Sequence, residues 1–264
     1  MEKTQKELAF LRDLYVTPDW TRRFTDLVDK NLKLDNAENV LYINAGTGDH
    51  CFALRDKLDE RTAVFGRCEN EEVLSIARDK AIAVRSDVDF STIDFEDDSF
   101  DAVIADATFV LPDDVDEFIE DAVRVAKEGG RVALFLPSAG SFGEVFSLLW
   151  EVLFSEDLGE QGHEAENMIA EQASVASLKS KAERYGLSNI KTETASEIFE
   201  FTNGANFIAS PLVEDFLLPH WFDTLGENEK EQVKGKLAQL IDAEDGDLSF
   251  RFTVKATVIT GTKN

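Results

Sequence analysis

The sequence predicts an α/β fold, in which helices cover both faces of a mostly parallel sheet. Short, wholly apolar runs such as 40–43 and 132–136 are typical of strands that are buried on both faces. Between these runs, apolar residues recur at helical spacing, as Val73, Ile76 and Ala77 do. Five such runs alternate with four helical segments between about residue 39 and residue 137, and this alternation favours parallel strands joined by crossover helices.

The predicted elements run along the whole chain. The first 35 residues predict two helices that Pro18 separates. Strands are predicted at 40–43, 62–65, 81–84, 101–105 and 131–136. After Pro137, helices are predicted over 141–173, 174–187 and 205–244, with strands at 190–201 and 248–259. The last of these strands alternates apolar and polar residues, which indicates one buried face.

The order of these elements predicts one Rossmann-like domain with a three-layer sandwich and a seven-stranded sheet. Residues 1–36 are expected to form N-terminal helices, and residues 37–264 the domain itself. Helical insertions at 138–173 and 203–246 are expected to form a cap on this domain.

Composition limits the kind of partner. The formal net charge of −26, without a basic patch, argues against nucleic acid, and it indicates either solubility or a preference for cationic or neutral partners. No apolar run approaches membrane-spanning length, so an acidic, soluble protein of the cytoplasm is expected. Two cysteines and three histidines show no metal-binding spacing, and no metal site is expected. Nothing in the sequence specifies the oligomeric state.

The strongest chemical signal is a glycine turn at 44–49, Asn-Ala-Gly-Thr-Gly-Asp, between the first strand and the first helix of the sheet. Glycines there let the backbone approach a ligand and direct amide N–H groups towards it. About 20 residues later the second strand ends beside Glu69, where a nucleotide-binding fold places an acid for ribose hydroxyls. The lysine-containing phosphate loop is excluded, because its Gly-x-x-x-x-Gly-Lys pattern does not occur.

At this point the sequence resembles the class I S-adenosylmethionine-dependent methyltransferases, especially the small-molecule and quinone branch. The resemblance covers residues 38–137 well and the remaining chain loosely. It is carried by the first motif at 40–48, the second helix at 71–78, the third-strand motif at 86–88, the fourth strand at 98–104 and the fifth strand at 125–132.

The resemblance implies S-adenosyl-L-methionine as cofactor and methyl transfer as the reaction. It places the methionine portion of the cofactor against the turn, the ribose at the end of the second strand and the adenine after the third. The fourth-strand end would lie near the reacting methyl group. The implied cofactor-binding residues are Asn44, Ala45, Gly46, Gly48, Cys68, Glu69, Asp87, Val88 and Asp106.

Three positions depart from the family pattern and motivate other hypotheses. Tyr42 occupies a position where the family commonly has an acidic residue, and Asn44 replaces the first glycine of the motif. Cys68 occupies the position of the usual ribose-binding acid, and Glu69 follows one residue later. A non-catalytic binding or scaffolding protein that keeps the fold is therefore one alternative. A nicotinamide-dependent oxidoreductase is another, although the third glycine of its fingerprint is replaced by Cys51.

Methyl transfer from a sulfonium needs alignment and desolvation more than a catalytic dyad, so no catalytic residue is assigned. The available general bases are His50, His220 and Asp106. Aromatic residues in the insertions either seal the cap or line an apolar pocket for a small, apolar or aromatic methyl acceptor. On the second interpretation, the substrate-binding candidates are Phe146, Trp150 and His220.

Overall fold

A computed structural model describes residues 3–156, 158, 167–245 and 248–264. Its sheet has seven strands in the order β3-β2-β1-β4-β5-β7-β6. The strands are β1 Asn39–Ile43, β2 Ala63–Arg67, β3 Asp89–Ser91, β4 Phe100–Asp106, β5 Ala126–Pro137, β6 Leu187–Phe201 and β7 Phe250–Lys263.

Helices occupy most of the connections. Before the sheet lie α1 Gln5–Leu11, a π-helix Arg12–Thr21 and α2 Arg22–Asn31. Between the first five strands lie α3 Asp49–Arg55, α4 Glu71–Val84 and α5 Val115–Val125. The remaining helices are α6 Gly143–Ser155, α7 Val175–Arg184, α8 Gly204–Ile208, a second π-helix Leu212–Leu217, α9 Leu218–Trp221 and α10 Glu227–Asp245.

Strand pairing confirms the predicted Rossmann-like fold with a mostly parallel sheet. β1 pairs in parallel with both β2 and β4, with Val40 opposite Val64 on one side and Ala102 on the other. Residues 40–43 are buried, as the apolar run predicted. β6 and β7 run antiparallel, because Ser188 bonds Thr262 while residue 194 bonds residue 257.

The chain divides into two compact units. The first contains the described residues of 1–136, 175–195 and 256–264, and the second those of 137–174 and 196–255. Both predicted insertions, 138–173 and 203–246, fall within the second unit. The interpretation of that unit as a cap on one domain stays a prediction, and part of the first insertion lies outside the described residues.

The N-terminal helices differ from the expected pair. Pro18 lies inside the π-helix, so helical structure runs without a break from Gln5 to Asn31. The π-helix around Pro18 has i→i+5 bonding in place of the i→i−4 bonds that a proline disrupts in an α-helix. It also changes which side chains face inwards: Val16 and Trp20 are buried, whereas Leu14, on the expected apolar stripe, is 61% exposed.

The third strand also differs from its prediction. Residues 81–84 are the last turn of α4, in which Ile82 and Val84 are 76% and 60% exposed. α4 ends at Arg85, which adopts a left-handed conformation, and β3 begins only at Asp89. The error arose because a four-residue apolar run fits a strand and the end of a helix equally well.

The core of the first unit holds the N-terminal helices against the sheet. The Phe24 ring centroid lies 5.2 Å from that of Trp20 and 6.1 Å from that of Phe135 on β5. All three rings are fully buried. This packing fixes the position of the π-helix that carries Arg12. In the described part of the chain, no helix is long and apolar enough to cross a membrane.

Candidate functional site

The glycine turn joins the carboxyl ends of three strands. The Ala45 backbone N–H donates to the Arg67 carbonyl at the end of β2, over 2.9 Å. The Asn44 side-chain amide donates to the main-chain carbonyl of Asp106 at the end of β4, over 3.0 Å. Asn44 adopts a left-handed conformation that asparagine tolerates better than most residues. Asparagine in place of the family's glycine therefore keeps the left-handed backbone conformation and adds a side-chain hydrogen bond to β4.

The two glycines of the turn have different surroundings. A methyl group on Gly48 would lie 2.6 Å from the buried ring of Phe90, so this glycine makes room for the core. A methyl group on Gly46 would lie 3.6 Å from the guanidinium of Arg12, on the pocket side of the turn. Gly46 therefore presents its backbone to the pocket, and Gly48 supports the turn from behind.

Neighbouring residues at the end of β2 have opposite environments. The Cys68 thiol is buried and lies 3.5 Å from the Gly46 carbonyl. Burial raises the pKa of Cys68 to about 12, so the thiol stays neutral. The Glu69 carboxylate instead contacts Arg12 Nη2 at 2.6 Å, with 21% of its side chain exposed. Of these two neighbours, Glu69 is thus the one that contacts Arg12.

Asp106 ends β4 as a buried carboxyl group. Its Oδ1 accepts bonds from the backbone N–H and the hydroxyl of Thr108, over 2.8 and 2.6 Å. Burial raises the pKa of Asp106 to about 6, although Arg12 and the Thr108 bonds oppose the rise. Near neutral pH, Asp106 places a negative charge that favours a cationic group in the same pocket.

Tyr42 on β1 belongs to a chain of hydrogen bonds. Its phenol lies 3.2 Å from His50 Nδ1, and His50 Nε2 lies 3.2 Å from the Asp29 carboxylate. The bond from His50 is the main reason that the pKa of Asp29 falls to about 2. Because this carboxylate can only accept, His50 donates from Nε2, and in the neutral imidazole Nδ1 then accepts from the Tyr42 hydroxyl. Burial raises the pKa of Tyr42 well above its ordinary value.

Arg12, from the π-helix, lies in the same pocket. Its side chain is 12% exposed, pairs with Glu69 and lies 5.6 Å from the centroid of the Phe109 ring. Burial by itself would lower the pKa of Arg12, but the carboxylates of Glu69 and Asp106 outweigh burial and raise it. The free volume here is about 10 Å³, enclosed by Arg12, Thr17, Thr21, Tyr42, Ala45, Gly46, Asp49, His50 and Asp106.

The neighbouring Asp13 fixes this segment to the turn. Its Oδ1 accepts a 2.5 Å bond from the Thr47 hydroxyl and a 2.6 Å bond from Lys80 Nζ. Lys80 also contacts Asp49 at 2.5 Å. The π-helix, the glycine turn and α4 are therefore joined by one polar cluster, which holds Arg12 over Gly46.

Asp87 and Val88 lie away from this group. Both precede β3, at the amino end of a strand whose carboxyl end is level with Arg67. The Asp87 side chain is 77% exposed and contacts Arg55, at the end of α3. The structure therefore does not bring these two residues together with Glu69. Asp87 and Val88 were expected to follow a third strand at 81–84, whereas the third strand of the structure, β3, begins after them and ends at Ser91.

The predicted substrate-binding residues belong to the second unit. Phe146 is buried there, with its ring centroid 5.3 Å from that of Trp221. Trp150 is 42% exposed and stacks on Phe154 at 5.5 Å. His220 is exposed on α9. Phe146 thus serves the core of this unit, while Trp150 and His220 lie at its surface.

Sequence reasoning did not identify Arg12 as a site residue. One signal was present, because Arg12 interrupts the helical apolar series of Leu8, Leu11 and Tyr15 with a charge. It also did not identify the bonds of Tyr42 to His50 and of His50 to Asp29. These contacts join residues from separate elements, and no spacing along the chain encodes them.

Comparison with known sequences gives one match, over part of the chain. Residues 41–134 match the sequence model of a family described as a methyltransferase domain. Among curated proteins, no sequence is significantly similar to this chain.

Solved structures share the fold. YcgJ from Bacillus subtilis matches with a TM-score of 0.59 at 16% identity, over 92% of this chain and 99% of that one. Haemonchus contortus phosphoethanolamine N-methyltransferase 2, solved with phosphomonomethylethanolamine and S-adenosylhomocysteine, matches with a TM-score of 0.56 at 13% identity, over 98% and 58%. The (4+2)-cyclase SpnF matches with a TM-score of 0.54 at 17% identity, over 99% and 97%.

Identities this low show the fold alone, and the match to the family model is confined to residues 41–134. The strand order, with β1 between β2 and β4 and a final antiparallel β7, agrees with both. Residues 41–134 of this chain therefore match a methyltransferase domain in sequence, within a fold that solved methyltransferase structures share.

Proposed function

We propose that this protein binds S-adenosyl-L-methionine at the pocket of Gly46 and Glu69 and transfers its methyl group to a small molecule. The observation that carries the proposal is that the acid after β2 and Gly46 of the first turn both adjoin the Arg12 guanidinium. This pocket lies at the carboxyl ends of the strands, where open α/β sheets bind ligands. The methyltransferase-domain match covers the same elements.

The residues present fit the cofactor. The Glu69 carboxylate can accept bonds from two ribose hydroxyls, and the turn offers backbone groups to the methionine portion. Two polar atoms here, Arg12 Nε and Thr21 Oγ1, are buried and have no hydrogen-bond partner among the described residues. Buried polar groups are normally bonded, so these atoms favour a polar ligand.

The size of the pocket sets one condition on binding. Small-molecule sites commonly enclose roughly 300–1,000 Å³, whereas the free volume here is about 10 Å³. The Arg12 side chain fills the space beside Gly46 and Glu69. Cofactor binding therefore requires that Arg12 move, while the turn and the strand ends keep their positions.

When bound, the cofactor supplies an electrophilic methyl group on a sulfonium. The chain's own contribution is to align the acceptor and exclude water. The buried carboxylate of Asp106, which two hydrogen bonds from Thr108 orient, contributes a negative charge that would favour the cationic sulfonium. We assign no catalytic residue.

For the methyl acceptor we propose a small, apolar or aromatic metabolite. The support is the aromatic content of the second unit, where Phe142, Phe146 and Trp221 form a buried cluster. Trp150 and Phe154 offer an exposed stacked pair, with parallel rings, to a flat or apolar group. Screening acceptor classes for release of S-adenosylhomocysteine tests this assignment, and exclusive methylation of charged polar acceptors would contradict it.

The binding test compares two acids. S-adenosylhomocysteine should bind the wild-type protein in calorimetry and raise its melting temperature. Glu69→Gln should weaken binding by roughly 10- to 150-fold, because it loses charge-assisted bonds worth about 1.5–3 kcal/mol. Asp87→Asn is the matched control and should leave affinity unchanged, since Asp87 lies at the amino end of β3.

A second candidate function is favoured by the closed pocket. The fold also serves proteins with other activities, as the structure of SpnF illustrates. If Arg12 is a permanent filling of the site, the protein is a non-catalytic member of the fold. Wild-type protein that binds neither S-adenosylhomocysteine nor NAD(H) at millimolar concentration would establish that candidate, and binding of NAD(H) alone would establish an oxidoreductase.

A further inference from the structure

Arg12 and Glu69 form a nearly buried ion pair inside the candidate cofactor pocket. Their closest atoms are 2.6 Å apart, and their side chains are 12% and 21% exposed. The pair joins residues 57 positions apart, from the π-helix and the end of β2. It occupies the space beside Gly46 that a ligand of this pocket would enter.

A ligand that takes Glu69 would leave the Arg12 guanidinium without the carboxylate that it contacts, with only the coulombic attraction of Asp106. Removing one partner from a buried ion pair is strongly destabilising. Arg12 cannot readily leave the site with its backbone, because Asp13 is bound to Thr47 and Lys80 and the following turns are anchored by Trp20. A ligand that brings its own anion would resolve this imbalance.

We propose that the cofactor divides this ion pair, so that its ribose hydroxyls bind Glu69 and its carboxylate binds Arg12. Arg12 is then a cofactor-binding residue and not merely a filling of the site. The inference rests on the proposed function, since it assumes that the pocket receives S-adenosylmethionine or its product.

The guanidinium has the donors that this exchange requires. It carries five N–H groups in a planar fork, which suits a carboxylate with two oxygens. Glu69 contacts the group at Nη2, and Nε is buried with no hydrogen-bond partner among the described residues. Phe109 lies 5.6 Å from the guanidinium carbon and supports it on one side. Arg12 can therefore rotate from one carboxylate to another without leaving the pocket.

The test uses two nucleosides that differ in one portion. S-adenosylhomocysteine carries the carboxylate, whereas 5′-methylthioadenosine keeps the adenine, ribose and thioether but lacks the amino-acid portion. Calorimetric affinities are measured for wild type, Arg12→Ala and Arg12→Lys. Arg23→Ala is the matched control, because Arg23 forms an exposed pair with Asp19 in the same N-terminal segment.

The proposal predicts that Arg12→Ala weakens binding of S-adenosylhomocysteine but not of 5′-methylthioadenosine. Affinity for S-adenosylhomocysteine should fall by roughly 10- to 100-fold, as a charge-assisted bidentate bond is lost. Affinity for 5′-methylthioadenosine should rise or stay the same, because in this variant the ligand no longer has to break the Arg12–Glu69 ion pair to reach Glu69. Arg12→Lys should fall between wild type and Arg12→Ala for S-adenosylhomocysteine, and Arg23→Ala should match wild type for both ligands.

Other outcomes overturn the proposal in distinguishable ways. Tighter binding of both ligands by Arg12→Ala would show that Arg12 is only a competitor for Glu69. Equal weakening of both ligands would show that Arg12 has a structural role. Thermal unfolding shows whether Arg12→Ala is still folded. If it is not, the affinities of Arg12→Lys for the two ligands test the proposal instead. If wild type binds neither nucleoside, the proposed function itself fails.

Discussion

Substitution of Gly48 by alanine tests whether this glycine serves the core or the pocket. The added methyl group would lie 2.6 Å from Cζ of Phe90 and 3.1 Å from Cζ of Phe52. Phe90 cannot retreat easily, because it is 2% exposed and its ring also fills the space next to Gly66. The Gly48 backbone has φ +91°, which disfavours any side chain.

The expected magnitude combines two terms. A left-handed backbone costs a non-glycine residue about 1–2 kcal/mol, and overpacking of a filled core costs about 1–3 kcal/mol. Gly48→Ala should therefore destabilise the protein by about 2–5 kcal/mol. Gly46→Ala is the matched control. Only the cost of the left-handed backbone applies there, because the added methyl group would lie no closer than 3.6 Å to its nearest neighbour, Arg12.

Urea denaturation followed by circular dichroism measures the free energy of unfolding of each variant. Phe90→Leu supplies the confirming cycle, because removing part of the ring should make room for the new methyl group. We expect a favourable coupling of about 1 kcal/mol or more between Gly48→Ala and Phe90→Leu. Equal destabilisation by Gly46→Ala and Gly48→Ala, or independent effects of Gly48→Ala and Phe90→Leu, would refute the reasoning.

Two further predictions concern the buried polar groups. Because the pKa of Asp106 is raised from 3.8 to about 6, the folded state binds more protons than the unfolded state between these values. The stability of wild type relative to Asp106→Asn should thus fall by on the order of 3 kcal/mol from pH 4 to pH 7, and parallel pH profiles of the two would contradict this. Tyr42→Phe should destabilise by about 1–3 kcal/mol because it leaves buried His50 Nδ1 without its donor. The control Tyr185→Phe, which removes a surface contact with Arg184, should have little effect in the same denaturation assay, and an equally small effect of Tyr42→Phe would count against the hydrogen-bonded chain.

The sequence determined the architecture because its signals are local and repeated. A wholly apolar run such as 40–43 can be satisfied only between two buried faces, and the glycine turn after it needs backbone angles that most residues avoid. The position of Glu69 just after the second strand likewise followed from the length of that strand and the turn before it. Family resemblance over residues 38–137 then agreed with the matched segment, 41–134.

Local patterns failed where two structures fit the same few residues. The run at 81–84 was compatible with a strand, and tertiary packing decided that it ends α4 instead. Asp87 and Val88, the predicted adenine contacts, lie before the amino end of β3, and their role stays a prediction. At Pro18 the sequence indicated a break, but burial of Val16 and Trp20 favoured a π-helical continuation.

What only the tertiary structure decided is the content of the pocket. Arg12 and Glu69 are far apart in sequence, and no periodicity relates a π-helix to the end of a strand. Their contact depends on how Trp20 packs the N-terminal segment and on how Asp13 binds the turn. A salt bridge between distant elements is a property of three-dimensional distances, whereas strands and turns are properties of neighbouring residues. The sequence therefore predicted the place of the candidate site, and the folded structure determined that Arg12 lies there.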